Sequence, residues 1–108
     1  MPALNLLQGT ADILILRTLA WEPMHGYAIA QFVRTRSSGA ITIDSAALYQ
    51  SLHRLQQRKL VRSWWGLSDT NRRARFYELT PAGRQQLREQ SRELKAYFAA
   101  FNALLEGK

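Results

Sequence analysis

The sequence predicts a mostly α fold with one small β-hairpin, α+β in class. Three observations point there. Apolar residues recur at helical spacing in three early segments, two short strand-like runs flank a turn, and the last stretch has no breaker until Gly107.

The elements follow in order. Residues 1–9 read as a short arm carrying Leu4, Leu6 and Leu7. Thr10 is a plausible N-cap, with Asp12 in the first turn, where the helix dipole favours an acid. A first helix over about residues 11–21 carries Ile13, Leu16 and Ala20 on one stripe, and Glu22-Pro23 stops it. Met24-His25-Gly26-Tyr27 restarts the chain, with His25 expected as a hydrogen-bond partner in the turn. The second helix spans about 26–36, with Ile29, Phe32 and Val33 inward, and Ser37-Ser38-Gly39 ends it. Ala40-Ile41-Thr42-Ile43 is β-branched and reads as a strand.

Asp44-Ser45 caps a third helix over about 45–59. Leu48, Leu52 and Leu55 form its inner face, and Ala46, Gln50, His53 and Gln57 lie opposite, flanked by Tyr49 and Arg54. Residues 60–65 and 73–79 are strand candidates separated by turn chemistry at 66–71, so they form a hairpin. Trp64 and Trp65 alternate across the first of these strands, which sends one to the core and one to the surface. Thr80-Pro81 opens a last helix that spans about 39 Å at 1.5 Å per residue. Helix, helix, helix and hairpin in this order make a winged helix-turn-helix, here at 1–80 with the arm, followed by a C-terminal helix at 81–108.

Composition narrows the function. At 108 residues, with 46% apolar and 21% charged side chains, the chain is a small globular protein. It contains no cysteine, which excludes disulfides, thiolate metal sites and thiol catalysis. No apolar run approaches a membrane span, and the N-terminus lacks the basic and apolar regions of a signal peptide, so a cytoplasmic protein without membrane contact is expected. Two histidines 28 positions apart make no metal site, and no catalytic constellation or phosphate-binding glycine loop is present, so neither an enzyme nor a cofactor is expected.

The net charge is +7 and the pI is near 10.6. The excess is local. Arg54, Arg58, Lys59, Arg62, Arg72, Arg73 and Arg75 face one acid, Asp69, within the segment 54–75. A concentrated, arginine-rich block suits a polyanion, and arginine suits phosphate and guanine edges. In a winged helix-turn-helix the third helix enters the major groove of double-stranded DNA and the wing lies along the backbone. Gln50, His53 and Arg54 are then candidates to read base edges, with Ser45 and Ala46 at the start of the same helix. Arg72, Arg73 and Arg75 are candidates for phosphates, and Tyr27 for the backbone at the start of the second helix.

Three stretches carry a resemblance. Gly9-Thr10 through Leu16 with Pro23-Met24-His25-Gly26-Tyr27-Ala28-Ile29, then Ala47-Leu48-Tyr49-Gln50-Ser51-Leu52-His53-Arg54-Leu55, then Arg75-Phe76-Tyr77-Glu78-Leu79-Thr80-Pro81-Ala82-Gly83 resemble the first helix and HGY turn, the LYPxLxRL recognition helix and the YxLTxxG junction of PadR-type transcriptional regulators. The resemblance favours Tyr49 as a DNA contact. Gln50 stands where the family usually has Pro, and Gln56-Gln57-Arg58-Lys59 stands where it often has an acidic pair and Gly. The resemblance implies a homodimer on a near-palindromic operator, usually a repressor, released by a small effector or another signal. A sequence-indifferent architectural DNA-binding protein is the alternative. The low-charge face of the third helix argues against it.

On the last helix Leu87, Leu94, Phe98, Phe101 and Leu105 are spaced 7, 4, 3 and 4, a heptad-like seam broken only by Ser91 and widened by Tyr97 and Leu104. This seam, joined by Leu4, Leu6 and Leu7, is the expected dimer interface. The resemblance further implies that flat aromatic compounds can bind between subunits, with Trp21, Phe98 and Phe101 as the candidates to line such a pocket and packing as their alternative role.

Overall fold

A computed structural model describes residues 2–107, with side chains described from Thr10 onward. The elements are α1 (Pro2–Trp21), β1 (Met24–His25), α2 (Gly26–Arg36), α3 (Ser45–Gln57), β2 (Val61–Leu67), β3 (Arg73–Leu79) and α4 (Pro81–Glu106). The three strands form one antiparallel sheet in the order β1-β3-β2.

The first helix departs from expectation. It begins at Pro2 and runs unbroken through Thr10 and Asp12, so there is no separate arm and Thr10 is not its cap. Proline is at home at a first helical position, and the residues after it are mostly strong helix formers. One mid-helix glycine, Gly9, costs only about 1 kcal/mol against them. The side chains of Leu4, Leu6 and Leu7 lie outside the described residues.

No strand forms at 40–43. The Ser37 hydroxyl accepts from the Ile41 amide at 3.0 Å and donates to the Ile41 carbonyl at 3.3 Å, which closes a local loop instead. The open edge of β3 is taken by β1, where Met24 pairs with Tyr77 and His25 with Phe76. Ile43 still packs against the core.

α2 has the expected bounds. His25 Nδ1 accepts from the Ala28 amide at 3.2 Å, so His25 both pairs with β3 and caps α2. α3 ends at Gln57, two residues early, in a Schellman motif. The Leu60 amide reaches the Leu55 carbonyl and the Lys59 amide reaches that of Gln56, both at 2.9 Å. Lys59 takes the left-handed position, φ 62°, that glycine usually fills. Lys59→Gly is therefore expected to raise stability by about 0.5–1 kcal/mol, the strain relieved less the entropy glycine adds to the unfolded chain. A urea midpoint that stays put or falls would contradict this.

The hairpin pairs seven residues on each strand, from Val61↔Leu79 to Leu67↔Arg73. β2 thus runs through Gly66 and Leu67, which were expected in the turn, and the turn is confined to 68–72. At Gly66 the Phe76 ring takes the space of a side chain, since a Cβ there would stand 3.1 Å from it. The tryptophans do alternate, but neither reaches the core: Trp64 is 41% and Trp65 54% exposed. Both stand beyond the buried base of the hairpin at Val61, Tyr77 and Leu79. Trp64 stacks on Phe76, and Trp65 lies under two arginines.

The core joins Ile15, Leu16 and Leu19 of α1 to Ile29, to Leu48, Leu52 and Leu55 of α3, and to Leu60, Val61, Tyr77 and Leu79. α4 opens as expected, with the Thr80 hydroxyl accepting from the Gly83 amide at 3.0 Å. Leu87 packs on the core, and beyond it the large apolar side chains from Tyr97 to Leu105 are exposed.

Candidate nucleic-acid interface

Asp44 fixes the start of α3, its carboxylate accepting from the Ala47 amide at 2.9 Å. With Leu48, Leu52 and Leu55 buried, the helix must turn Ser45, Ala46, Tyr49, Gln50 and His53 outward, and all five are exposed. The strand register sorts the wing in the same way. Arg62, Trp64, Phe76 and Glu78 share one face, while Ser63, Trp65, Arg73 and Arg75 share the other with the buried Val61 and Tyr77. A cleft of about 800 Å³ separates this second face from the starts of α2 and α3, and Tyr27, Tyr49, Trp65, Arg72, Arg73 and Arg75 line it.

Tyr27, Tyr49, Arg72, Arg73 and Arg75 are thus brought to one cleft, beside the exposed polar face of α3. Arg73 and Arg75 lie over the Trp65 ring, their guanidinium carbons 4.6 and 5.5 Å from its centroid. Among the described residues none of the three wing arginines is in an ion pair. The Tyr27 hydroxyl accepts from Gln31 Nε2 at 2.8 Å and remains open to solvent. Tyr49 rests on Gly26, where a Cβ would come within 2.8 Å of the Tyr49 Cζ. Behind them, burial pushes the Tyr77 phenol above its ordinary range of about 10; Arg75 opposes the shift and Tyr49 adds to it. Stability held by neutral Tyr77 is therefore present below pH 10 and lost as the pH rises through the raised value.

Gly26→Ala is expected to push the Tyr49 ring aside. The clash meets the far end of a side chain, so the urea midpoint should change little while duplex affinity falls about tenfold. Unchanged affinity would remove Tyr49 from the interface.

Arg54 is placed differently from the others. Its terminal nitrogen donates to Asp12 Oδ1 and to Ser51 Oγ, each at 2.9 Å, and so straps α3 to α1. Its side chain is 40% exposed, so it borders the interface while anchored from behind. Sequence reading missed this pair, and it did not single out Ser63 and Trp65, which share the wing face of Arg73 and Arg75. Asp12 and Arg54 stand 42 positions apart and carry no local signal.

The family model for the transcriptional regulator PadR-like family matches residues 15–89. The chain belongs to the PadR-like family of transcriptional regulators. That family comprises regulators and not enzymes, and DNA binding is the activity that membership supports. A PadR family transcriptional regulator from Eggerthella lenta is 28% identical, with a TM-score of 0.78 over 98% of this chain and 90% of its own. A transcriptional regulator from Clostridium thermocellum, 24% identical, shares the fold with a TM-score of 0.81 over 92% and 96% of the two chains. An uncharacterised protein of Lysinibacillus sphaericus is 27% identical over 95% of this chain and 94% of its own.

The PadR-like chain presents its other candidates away from the cleft. Leu94 is half-buried, whereas Tyr97, Phe98, Phe101, Leu104 and Leu105 are 44–79% exposed. Tyr97 stacks on Phe101 with ring centroids 6.3 Å apart. Trp21 lines a separate cavity of about 180 Å³ with Leu14, Thr18, Phe32, Arg36 and Ile41, and neither Phe98 nor Phe101 lines it. No helix of the described residues is long and apolar enough to cross a membrane.

Proposed function

We propose that this PadR-like chain is a homodimeric, sequence-specific repressor acting in the cytoplasm. One observation carries the DNA reading. Three arginines, without ion pairs among the described residues, line a single cleft with Tyr27 and with Tyr49, which flanks the outward polar face of α3. α3 then lies in the major groove, with Gln50 and His53 at base edges and Arg72, Arg73 and Arg75 on phosphates. An architectural role needs charge alone, and an outward helix face of Ala46, Gln50 and His53 supplies little of it.

Residues 1–80 would read DNA and 81–108 would join the subunits. A helix with five large apolar side chains exposed on its distal half calls for a second copy. A twofold dimer would set two α3 helices about 34 Å apart on a near-palindromic operator. A small aromatic effector would act between subunits near Trp21, Phe98 and Phe101. Titration with planar aromatic acids tests this, and unchanged tryptophan fluorescence would count against the pocket.

The deciding experiment is binding to the duplex upstream of the chain's own gene, with random duplex as competitor at two salt concentrations, followed by footprinting. Selective binding and a symmetric footprint are expected. Equal loss to random duplex at every tested site would favour the architectural role.

A further inference from the structure

Three side chains from three elements form a relay, and the residue at its centre is absent from the contacts proposed above. Ser63 stands half-buried on β2. Its hydroxyl donates to Gln56 Oε1 of α3 at 3.2 Å and accepts from Arg75 Nε of β3 at 2.9 Å. One hydroxyl thus uses both its donor and an acceptor to join the recognition helix to the wing. Arg75 in turn lies over Trp65, the ring that also carries Arg73. The Ser63 bond engages one of the five guanidinium N–H groups, and the ring restrains the guanidinium. The two terminal nitrogens remain as a fork, the geometry that suits a phosphate.

We propose that Ser63 is a positioning residue for DNA recognition. By tying Gln56 to Arg75 it sets the reach and plane of the wing fork relative to α3, so that phosphate and base edges are met in one register. A free arginine loses much rotamer freedom when it docks, and holding it beforehand removes part of that cost. The neutral side chain at 56 suits this role. A carboxylate there would stand one hydroxyl away from the guanidinium and compete with phosphate for it.

The inference rests on the DNA-binding reading, and its test keeps the two apart. Wild type first selects an enriched sequence from a pool of random duplexes. Ser63→Ala, Ser63→Thr and Gln56→Ala are then measured on that duplex and on unselected duplex, with the Arg75 Nε–H followed by NMR in the free protein. Ser63→Ala is expected to speed exchange of that proton and to weaken binding to the enriched duplex about tenfold. Binding to unselected duplex should change less than about twofold, because no charge is lost. Ser63→Thr restores the hydroxyl and both readouts. Gln56→Ala lowers the same ratio, and it decides the matter if Ser63→Ala does not fold. An unchanged ratio, equal loss on both duplexes, or failure of threonine to rescue overturns the positioning role alone. A wild type that enriches no sequence overturns the DNA reading and this role with it.

Discussion

Replacing Phe98 and Phe101 together with aspartate is expected to convert the protein to monomers and to abolish high-affinity operator binding. Both rings sit on the exposed distal half of α4, and neither belongs to the monomer's core. The helical signal and urea midpoint of the monomer should therefore survive. In a dimer the substitution would set four carboxylates against an apolar seam, where each unpaired charge costs several kcal/mol. Light scattering should report one chain per particle at micromolar concentration. A lone half-site keeps little beyond charge attraction, so the operator Kd should rise by on the order of a thousandfold. A variant that remains dimeric would move the interface elsewhere, α1 being the next place to look.

The second large effect is electrostatic. Arg72, Arg73 and Arg75 changed together to alanine should flatten the salt dependence of binding. Each arginine on a phosphate contributes about 0.9 to the slope of log K against log salt. Six such contacts per dimer would remove about 5 from a slope of roughly −5 to −7. Affinity for operator and random duplex should fall together, leaving the ratio between them closer to its original value than either constant. A slope that stays the same would take the wing off the backbone.

Much of this was legible in the sequence because local chemistry marks it. Pro23 and Ser37-Ser38-Gly39 bracket α2, and Thr80-Pro81 opens α4 at the residue expected. The leucines of α3 decide which side of that helix meets solvent, so Tyr49, Gln50 and His53 could be read as outward. What stayed hidden depended on distant partners. Met24–His25 is too short for any period, and it becomes a strand only because β3 offers an edge. Residues 40–43 have the composition of a strand, but the Ser37 hydroxyl holds Ile41 in a local loop and β1 takes the β3 edge. Alternation told that Trp64 and Trp65 face opposite ways, but not that the hairpin outreaches the core. The Asp12–Arg54 strap and the Gln56–Ser63–Arg75 relay join positions that only the folded chain brings together.

His25 belongs to two elements at once. Its backbone pairs with the wing strand and its ring caps the helix that begins at the next residue. The hairpin and the start of α2 are thus joined through one residue, by backbone and by side chain. The proposed reading surface would therefore act as a stamp and not as a hand. When groove and stamp do not match, the misfit must be taken up as bending or twisting of the duplex. On the proposed docking, a flexible step between the contacted bases would then be part of what is recognised, even where no side chain touches it.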